Sequence, residues 1–356
     1  MILEKKIDDL INYQGSWLEP GINESPVISS RIRLARNLDD YHFPNWANSE
    51  QNYAILKQSI DLFKKINKDY MYWKISDLSI VDRDVLFERH LISQELANKN
   101  KNSGVFVSPD ESLSIMINEE DHIRIQVLHA GLNLKDAWSE ANLIDDELEE
   151  CMKYAYSPSL GYLTSCPSNV GTGLRASVML HLPGLVLLEE MDSVVNGMSK
   201  IGLAVRGMWG EGTEAVSNMF QISNQITLGK NEEKIIEHLE QIVNELKDHE
   251  INARKRLINE KLLIVEDHIG RSYGTLANAH IITSNEALNL LSTLRLGLDL
   301  EIVSGFSRQD LDKLFISTQP AHLQKLENKD LDPVQRDILR AELLRNFMKQ
   351  AKLKIK

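Results

Sequence analysis

The chain has 356 residues, 42% of them hydrophobic and 26% charged, the composition of a soluble globular protein of about two domains. A formal net charge of -12 excludes a protein that binds nucleic acid with its whole surface, but leaves room for a local basic cluster. No stretch approaches the roughly 18 apolar residues of a membrane span, and the N-terminus, MILEKKIDDLINYQ, lacks the apolar run of a signal peptide. Two cysteines, Cys151 and Cys166, make neither a disulfide framework nor a zinc spacing, so a reducing cytoplasm is the expected compartment.

In chain order, Val27 to Leu34 has strand composition and Ala54 to Ile66 has helical apolar spacing. Leu113 to Ile117 and Ile123 to Leu128 flank a polar tip, Asn118-Glu119-Glu120-Asp121-His122, and predict a hairpin. Tyr162 to Cys166, Ala176 to Leu182, Ile201 to Met208 and Met219 to Leu228 read as further strands of a mostly antiparallel sheet. From Asn231, an N-cap followed by Glu232 and Glu233, apolar residues recur at helical spacing through Leu246. Everything after about residue 257 reads as helix. Thr283 with Glu286 has the form of a capping box, and Asp332-Pro333-Val334-Gln335 marks another helix start. The expected fold is α/β (α+β), with a mostly antiparallel sheet flanked by helices over residues 1–256. An all-helical C-terminal domain is expected over 257–356.

Four segments have the residue types for chemistry. In Ser29-Ser30-Arg31-Ile32-Arg33, residues two apart on a strand share a face, so Arg31 and Arg33 present two phosphate-matching forks, or else form a solvated strand face. In Asn118 to Arg124, a turn carboxylate can grip a cationic group while Arg124 returns toward phosphate; simple solvation of the turn is the alternative. In Cys166-Pro167-Ser168-Asn169-Val170-Gly171-Thr172-Gly173, with Arg175 beyond, two glycines let backbone approach a ligand, and arginines nearby favour a thiolate at Cys166. Cys151 has the inert reading. In Arg206-Gly207-Met208-Trp209-Gly210-Glu211, glycines surround one carboxylate, as a ligand loop or a plain hairpin loop.

Together and in this order, the four segments resemble the phosphagen (guanidino) kinase family, whose signature is a Cys-Pro-[Ser/Thr]-Asn-x-Gly-Thr loop. The likeness covers roughly residues 25 to 255. It implies an ATP-dependent phosphotransferase that uses Mg²⁺. Ser29, Arg31, Arg33, His90, Arg124, Arg175 and Arg206 would then lie at the nucleotide, and Mg²⁺ would be held mostly by phosphate and water, with no dedicated metal residues. A guanidinium, with a pKa of about 12.5, is a poor nucleophile. The resemblance supplies Glu120 and Glu211 as a carboxylate clamp, Glu211 as the preferred base, and Cys166 as a third negative contact. The family's histidine against adenine is here Met179, a departure from the pattern at which a thioether can still pack on a base.

Only 28 residues precede Ser29, too few for the helical lid domain of the small-molecule kinases, and the helical C-terminal part has no counterpart in them. Both features resemble the bacterial protein-arginine kinases of the heat-shock system. That likeness implies protein substrates (a stress repressor and misfolded proteins), a Clp-type chaperone and protease partner, and an activator protein. It implies no direct nucleic acid and no membrane. A homodimer is expected from the apolar helical stripes. The alternatives are a regulatory binding protein on a kinase scaffold and a kinase of a free guanidino compound. Arg336-Asp337-Ile338-Leu339-Arg340-Ala341 matches an element associated with the protein-arginine kinases. Arg336 and Arg340, one turn apart, would hold a phosphate, and Asp337 the guanidinium, of phosphoarginine. Residues 323–356 carry nine Lys/Arg against five Asp/Glu. A solvated amphipathic helix is the competing reading.

Overall fold

The computed structural model describes residues 2–3, 6–11, 15–19, 25–66, 68–99, 101–207 and 216–354. The chain forms two compact units, one of residues 1–17, 29–177 and 223–240, the other of residues 18–28, 178–222 and 241–356.

The first unit opens with β1 (Ile2–Leu3) and α1 (Ile7–Ile11). Next come β2 (Val27–Arg36) and α2 (Ser49–Phe63), whose N-cap Asn48 accepts the Gln51 N–H. β3 (Tyr70–Lys74) leads to α3 (Ile80–Glu88), closed by a Ser79–Asp82 capping box, and to α4 (Gln94–Ala97), capped by Ser93. β4 (Gly104–Val107), β5 (Leu113–Ile117), β6 (Ile123–Ala130) and α5 (Leu134–Glu149) follow, then a short pair, β7 (Tyr156–Ser157) and β8 (Gly161–Tyr162). The strands neighbour one another in the order β1-β3-β4-β5-β6-β2. β1 pairs with β3 in parallel, and the other four pairings are antiparallel, as the alternating pattern predicts. All five β5 residues are buried. A strand covered on both faces reads as a continuous apolar run, which is why Leu-Ser-Ile-Met-Ile hardly alternates.

Register decides what the site can be. Arg31 faces Leu128, Arg33 faces Gln126 and Ala35 faces Arg124 across the β2–β6 ladder. Opposite residues of an antiparallel pair point to the same side, so Arg31, Arg33 and Arg124 share one face. The small Ala35 leaves room beside Arg124.

From Leu174 the chain runs on into the second unit, the first keeping residues 174–177 and 223–240, through β9 (Leu174–His181), α6 (Pro183–Leu187), α7 (Met191–Lys200), β10 (Leu203–Gly207) and β11 (Met219–Asn224). α8 (Glu232–Asn278) follows, non-helical at Lys261, then α9 (Ser284–Asp299), β12 (Val303–Ser304) and α10 (Arg308–Ser317). α11 (Pro320–Glu327), α12 (Pro333–Met348) and β13 (Lys352–Leu353) end the chain. Leu257, Val265 and Ile269 of α8, Leu288, Leu291 and Leu294 of α9, and Leu344 of α12 form one apolar cluster. Asp332 and Gln335 make the full capping box of α12, and Thr283 caps α9 through the Glu286 N–H. Among the described residues no helix is long and apolar enough to cross a membrane.

Two expectations need correction. The C-terminal part is not wholly helical, because β12 and β13 pair antiparallel. The strand expected over Tyr162 to Cys166 ends at Tyr162. Beyond it the Leu163 N–H still bonds the Ala155 carbonyl (2.8 Å), but the Ser165 N–H is taken by the Asp121 carboxylate at 2.6 Å, a side chain standing where a ladder partner would.

A buried ionic network ties α8 to α9 in this unit. Arg254 donates from Nε to Glu250 (2.6 Å), from Nη1 to Asp299 (2.7 Å) and Ser25 (3.1 Å), and from Nη2 to the His181 carbonyl (3.1 Å). Glu250 in turn accepts the Gly184 and Leu185 N–H groups at the start of α6. Burial works against the Asp299 charge, but Arg254, Arg308 and Arg295 outweigh it and hold the carboxyl at about 2. Asp299→Ala should therefore cost about 3 kcal/mol of stability in urea unfolding, because it removes the buried carboxylate shared by Arg254 and Arg308 and leaves Glu250 alone to balance Arg254. Since Asp299 ionises more readily folded than unfolded, the wild type should hold this contribution above its unfolded value of 3.8 and lose it as pH falls toward 2.

Candidate active site

The shared face of β2 and β6 concentrates positive charge. Arg31 and Arg33 lie on β2, Arg124 on β6 and Arg175 at the start of β9, all within the first unit and all half-buried. Burial, with Arg175 and Arg124 nearby, lowers Arg31 to about 10, so it stays cationic at neutral pH. Arg33 is pushed well below the usual arginine range by burial and then by Arg31, Arg124 and Arg175, with Glu119 opposing. Arg31 Nε donates to Ser177 Oγ at 3.4 Å, whereas Arg33 Nε is buried with no partner among the described residues. An N–H left unsatisfied among mutually repelling cations is the signature of a pocket shaped for a polyanion. Those residues fit a triphosphate.

His90 belongs to the same face. Its backbone is left-handed (φ 59°), its carbonyl accepts from Gln126 Nε2 at 2.7 Å, and its ring meets Trp17 edge-on at 5.3 Å. Burial, then Arg31, lowers it to about 3, so the imidazole is neutral. Ser29, buried, lies opposite Ala130, two residues before Arg31 on the same side of β2.

The hairpin tip gives each residue a separate task. Asn118 adopts φ 56° to turn the chain and donates to the Asn52 (2.8 Å) and Asn102 (2.6 Å) carbonyls. Asp121, fully buried, accepts from Asn37 Nδ2 and from the Ser165 N–H, both at 2.6 Å, and so ties the tip to the chain entering the Cys166 loop. His122 accepts the Leu38 N–H at Nδ1 (3.0 Å) and donates from Nε2 to the His42 carbonyl (3.0 Å). Burial lowers it to about 4, so it too is neutral. Arg124 is not aimed only at phosphate. Its guanidinium forks between Glu119 (2.6 Å) and Glu120 (2.9 Å). Glu120 alone of that acidic pair is partly open to solvent. Burial raises its pKa, Arg124 works against the rise, and Asp121, Glu119 and Glu95 add to it. A half-buried carboxylate with raised proton affinity is a better proton acceptor than an ordinary exposed one. Carboxylate oxygens of Glu95, Glu119 and Glu120 lie within 4.8 Å of one another.

Cys166, half-buried, has its Sγ 3.0 Å from Ser168 Oγ. The loop glycines have a role other than the expected approach to a ligand. A Cβ on Gly171 (φ 114°) would collide with the Thr227 carbonyl, and one on Gly173 (φ 66°) with the Ala35 carbonyl and Arg36. They let the loop pack on its own scaffold. Thr227 Oγ1 pins it further through the Ser168 (3.0 Å) and Val170 (2.7 Å) carbonyls.

Other expected residues lie elsewhere. Glu211 lies outside the described residues, and Arg206 is exposed on β10 of the second unit. Met179 is packed against the second unit's apolar cluster. On α12, two open forks one turn apart are not found. Arg340 is buried, with Nε on the Thr318 carbonyl (2.8 Å) and Nη1 on the Ile282 carbonyl (2.9 Å) and Asp337 (2.5 Å). The helix face carrying Arg340 turns inward with Ala341 and Leu344, which commits its guanidinium to carbonyls that would otherwise be orphaned. Arg336 and Asp337 are half-buried. The sequence does not single out Glu119, Asp121 or His122. Their signal was the unbroken run of ionisable residues at a turn, which does not say which of them fold inward.

Residues 53–253 match the ATP:guanido phosphotransferase C-terminal catalytic domain, and residues 263–355 match the protein-arginine kinase McsB C-terminal domain. The chain belongs to the ATP:guanido phosphotransferase family. A protein-arginine kinase of Halothermothrix orenii is 46% identical over 95% of this chain and 98% of its own length. One from Bacillus cereus (strain AH187) is 45% identical over 98% and 99%. The crystal structure of lombricine kinase shares the family fold at a TM-score of 0.58 and 26% identity, over 68% of this chain and 70% of that one. The duplicated taurocyamine kinase of Schistosoma mansoni with bound transition state analog components is alike in fold at 0.59 and 24%, over 69% of this chain and 38% of that one.

Arg33→Ala should weaken ATP binding by about 10- to 100-fold, the loss of one or two charge-assisted bonds. It should leave the fold intact, because it also relieves repulsion. Calorimetric titration of ATP and a thermal melt of the variant check both parts.

Proposed function

We propose that this chain transfers the γ-phosphoryl group of ATP to arginine side chains of proteins. The bond from γ-phosphorus to the β,γ-bridging oxygen breaks, a phosphorus–nitrogen bond forms, and the guanidinium gives its proton to a carboxylate. One juxtaposition carries the reading: a cation cluster with an unsatisfied Arg33 Nε, joined through Arg124 to the raised carboxylate of Glu120. In this reading Ser29, Arg31, Arg33, His90, Arg124, Arg175 and Arg206 attend the nucleotide. Glu120 and Glu211 clamp and deprotonate the acceptor, and Cys166 adds a polar contact to it. Mg²⁺ would travel with the triphosphate, neutralising its oxygens. Support for a protein as the acceptor comes from the relatives named protein-arginine kinase, which match over nearly the whole chain.

The division at residue 256 belongs to the same proposal, supported by family matches that end at 253 and begin at 263. So do a cytoplasmic stress-response setting, a repressor and misfolded proteins as targets, a Clp-type protease partner, an activator and a homodimer. On α12, Arg336 and Asp337 are proposed to receive phosphoarginine, with Arg340 as the buried brace that holds Asp337.

Incubation with ATP-Mg²⁺ should place acid-labile phosphate on casein and not on free arginine; label on free arginine alone would refute a protein acceptor. Glu120→Gln and Glu211→Ala should each lower kcat by about 10²–10⁴-fold while ATP binding persists. The wild-type acid limb, where Glu120 becomes protonated, should lie above the ordinary glutamate value. Free phosphoarginine should bind wild type in calorimetry and bind Arg336→Ala and Asp337→Ala at least about tenfold more weakly. Equal binding to all three would exclude that site.

A further inference from the structure

Two wholly buried carboxylates of the hairpin tip take no part in the phosphotransfer reading; Asp121 ties down the Cys166 loop, and Glu119 turns instead to Arg124 and Glu120. Burying a charged carboxylate costs several kcal/mol unless it is fully hydrogen-bonded, so its partners show what it is for. Oε1 accepts from Arg124 Nη1 at 2.6 Å and from the Ser93 hydroxyl, and Oε2 accepts the Glu120 N–H at 2.6 Å. Ser93 is itself fixed as the N-cap of α4, accepting the Leu96 N–H at 3.0 Å. Glu119 thus grips the backbone of Glu120 and one arm of the guanidinium whose other arm holds the Glu120 carboxylate at 2.9 Å. A closed loop results, Glu119 to Arg124 to the Glu120 side chain, then through the Glu120 backbone to Glu119 again.

We propose that Glu119 is a positioning residue that locks Glu120 and Arg124 in one geometry and balances the charge between the phosphate face and the acceptor carboxylate. The role rests on the reading of Glu120 as an acceptor-side base. The loop restricts both side chains at once, so neither the phosphate ligand nor the base can move without breaking a buried charge-assisted bond. Glu119 is also the anion that opposes the lowering of Arg33, and one of the like charges that raise Glu120. The charged groups facing Glu120 are Arg124 from β6, Glu119 and Asp121 from the tip, and Glu95 from α4. Of these Glu119 alone also holds the Glu120 N–H.

Glu119→Gln keeps the shape and removes the charge. In full-length enzyme with ATP-Mg²⁺ and casein, kcat should fall by about 10²-fold. The acid limb of the pH–rate profile should move to lower pH, because Glu120 loses a like-charged neighbour. ATP should bind about twofold or more tighter, since the pocket loses a negative charge. A merely structural glutamate would weaken ATP binding and leave the limb in place. Glu119→Asp, which keeps the charge on a shorter arm, should restore the limb but not the full rate. Should Glu119→Gln fail to fold, Ser93→Ala removes one donor from Glu119 without touching Arg124 or Glu120, and a several-fold loss of kcat is expected. A Gln variant, or a folded Ser93→Ala, within twofold of an active wild type with an unmoved acid limb overturns the positioning role and leaves the phosphotransfer reading standing. A wild type that phosphorylates no arginine overturns both.

Discussion

Four arginine side chains on one half-buried face of β2, β6 and β9 repel one another. Two like charges about 5 Å apart cost about 3 kcal/mol at an effective dielectric of 20, and the local structure is organised around tolerating that cost. Arg124 is neutralised by Glu119 and Glu120, Arg31 leans on Ser177, and Arg33 keeps an unsatisfied Nε. Full neutralisation by the protein would leave nothing for a triphosphate to gain. Partial neutralisation leaves a pocket that a polyanion completes.

The loops around this face are rigid through side-chain bonds to backbone rather than through regular structure. Asp121 joins the hairpin tip to Ser165, Asn37 donates to Asp121, and Thr227 holds two carbonyls of the Cys166 loop. Asn224 accepts the Ala176 N–H and donates to the Leu174 carbonyl, which fastens the start of β9 near Arg175. Such bonds hold a reactive group to a fraction of an ångström while leaving it on a loop that a substrate can reach. The second unit answers the same problem of buried charge differently. There Arg254 is matched by Glu250 and Asp299, and the ions are consumed by the fold.

Much of this was legible in the sequence, for a physical reason in each case. The Arg-x-Arg spacing of Arg31 and Arg33 implies a shared face on any strand, because the side-chain period is two. The hairpin of Leu113 to Leu128 follows from two apolar runs around a polar tip, and Asp332-Pro333-Val334-Gln335 caps its helix by local hydrogen bonds alone. The strand expected through Cys166 stops at Tyr162, and at Ser165 the N–H goes to a carboxylate 44 residues away that local sequence does not announce. The two forks expected on α12 failed because helical spacing says which residues share a face, not whether that face looks inward.

What the sequence by itself determined is what depends on near neighbours: the strands and helices, their caps, the pairing of arginines on one face, and the family to which the ordered motifs belong. Only the tertiary structure decided which of three consecutive acids is buried, which is half-open and which ties down the next loop. Glu119, Glu120 and Asp121 are alike in sequence, and each acquires its burial and its partners from groups brought up by other elements: Ser93, Arg124, Asn37 and Ser165. Charge interactions and desolvation act through space, so the environment that separates these carboxylates exists only once the chain has folded.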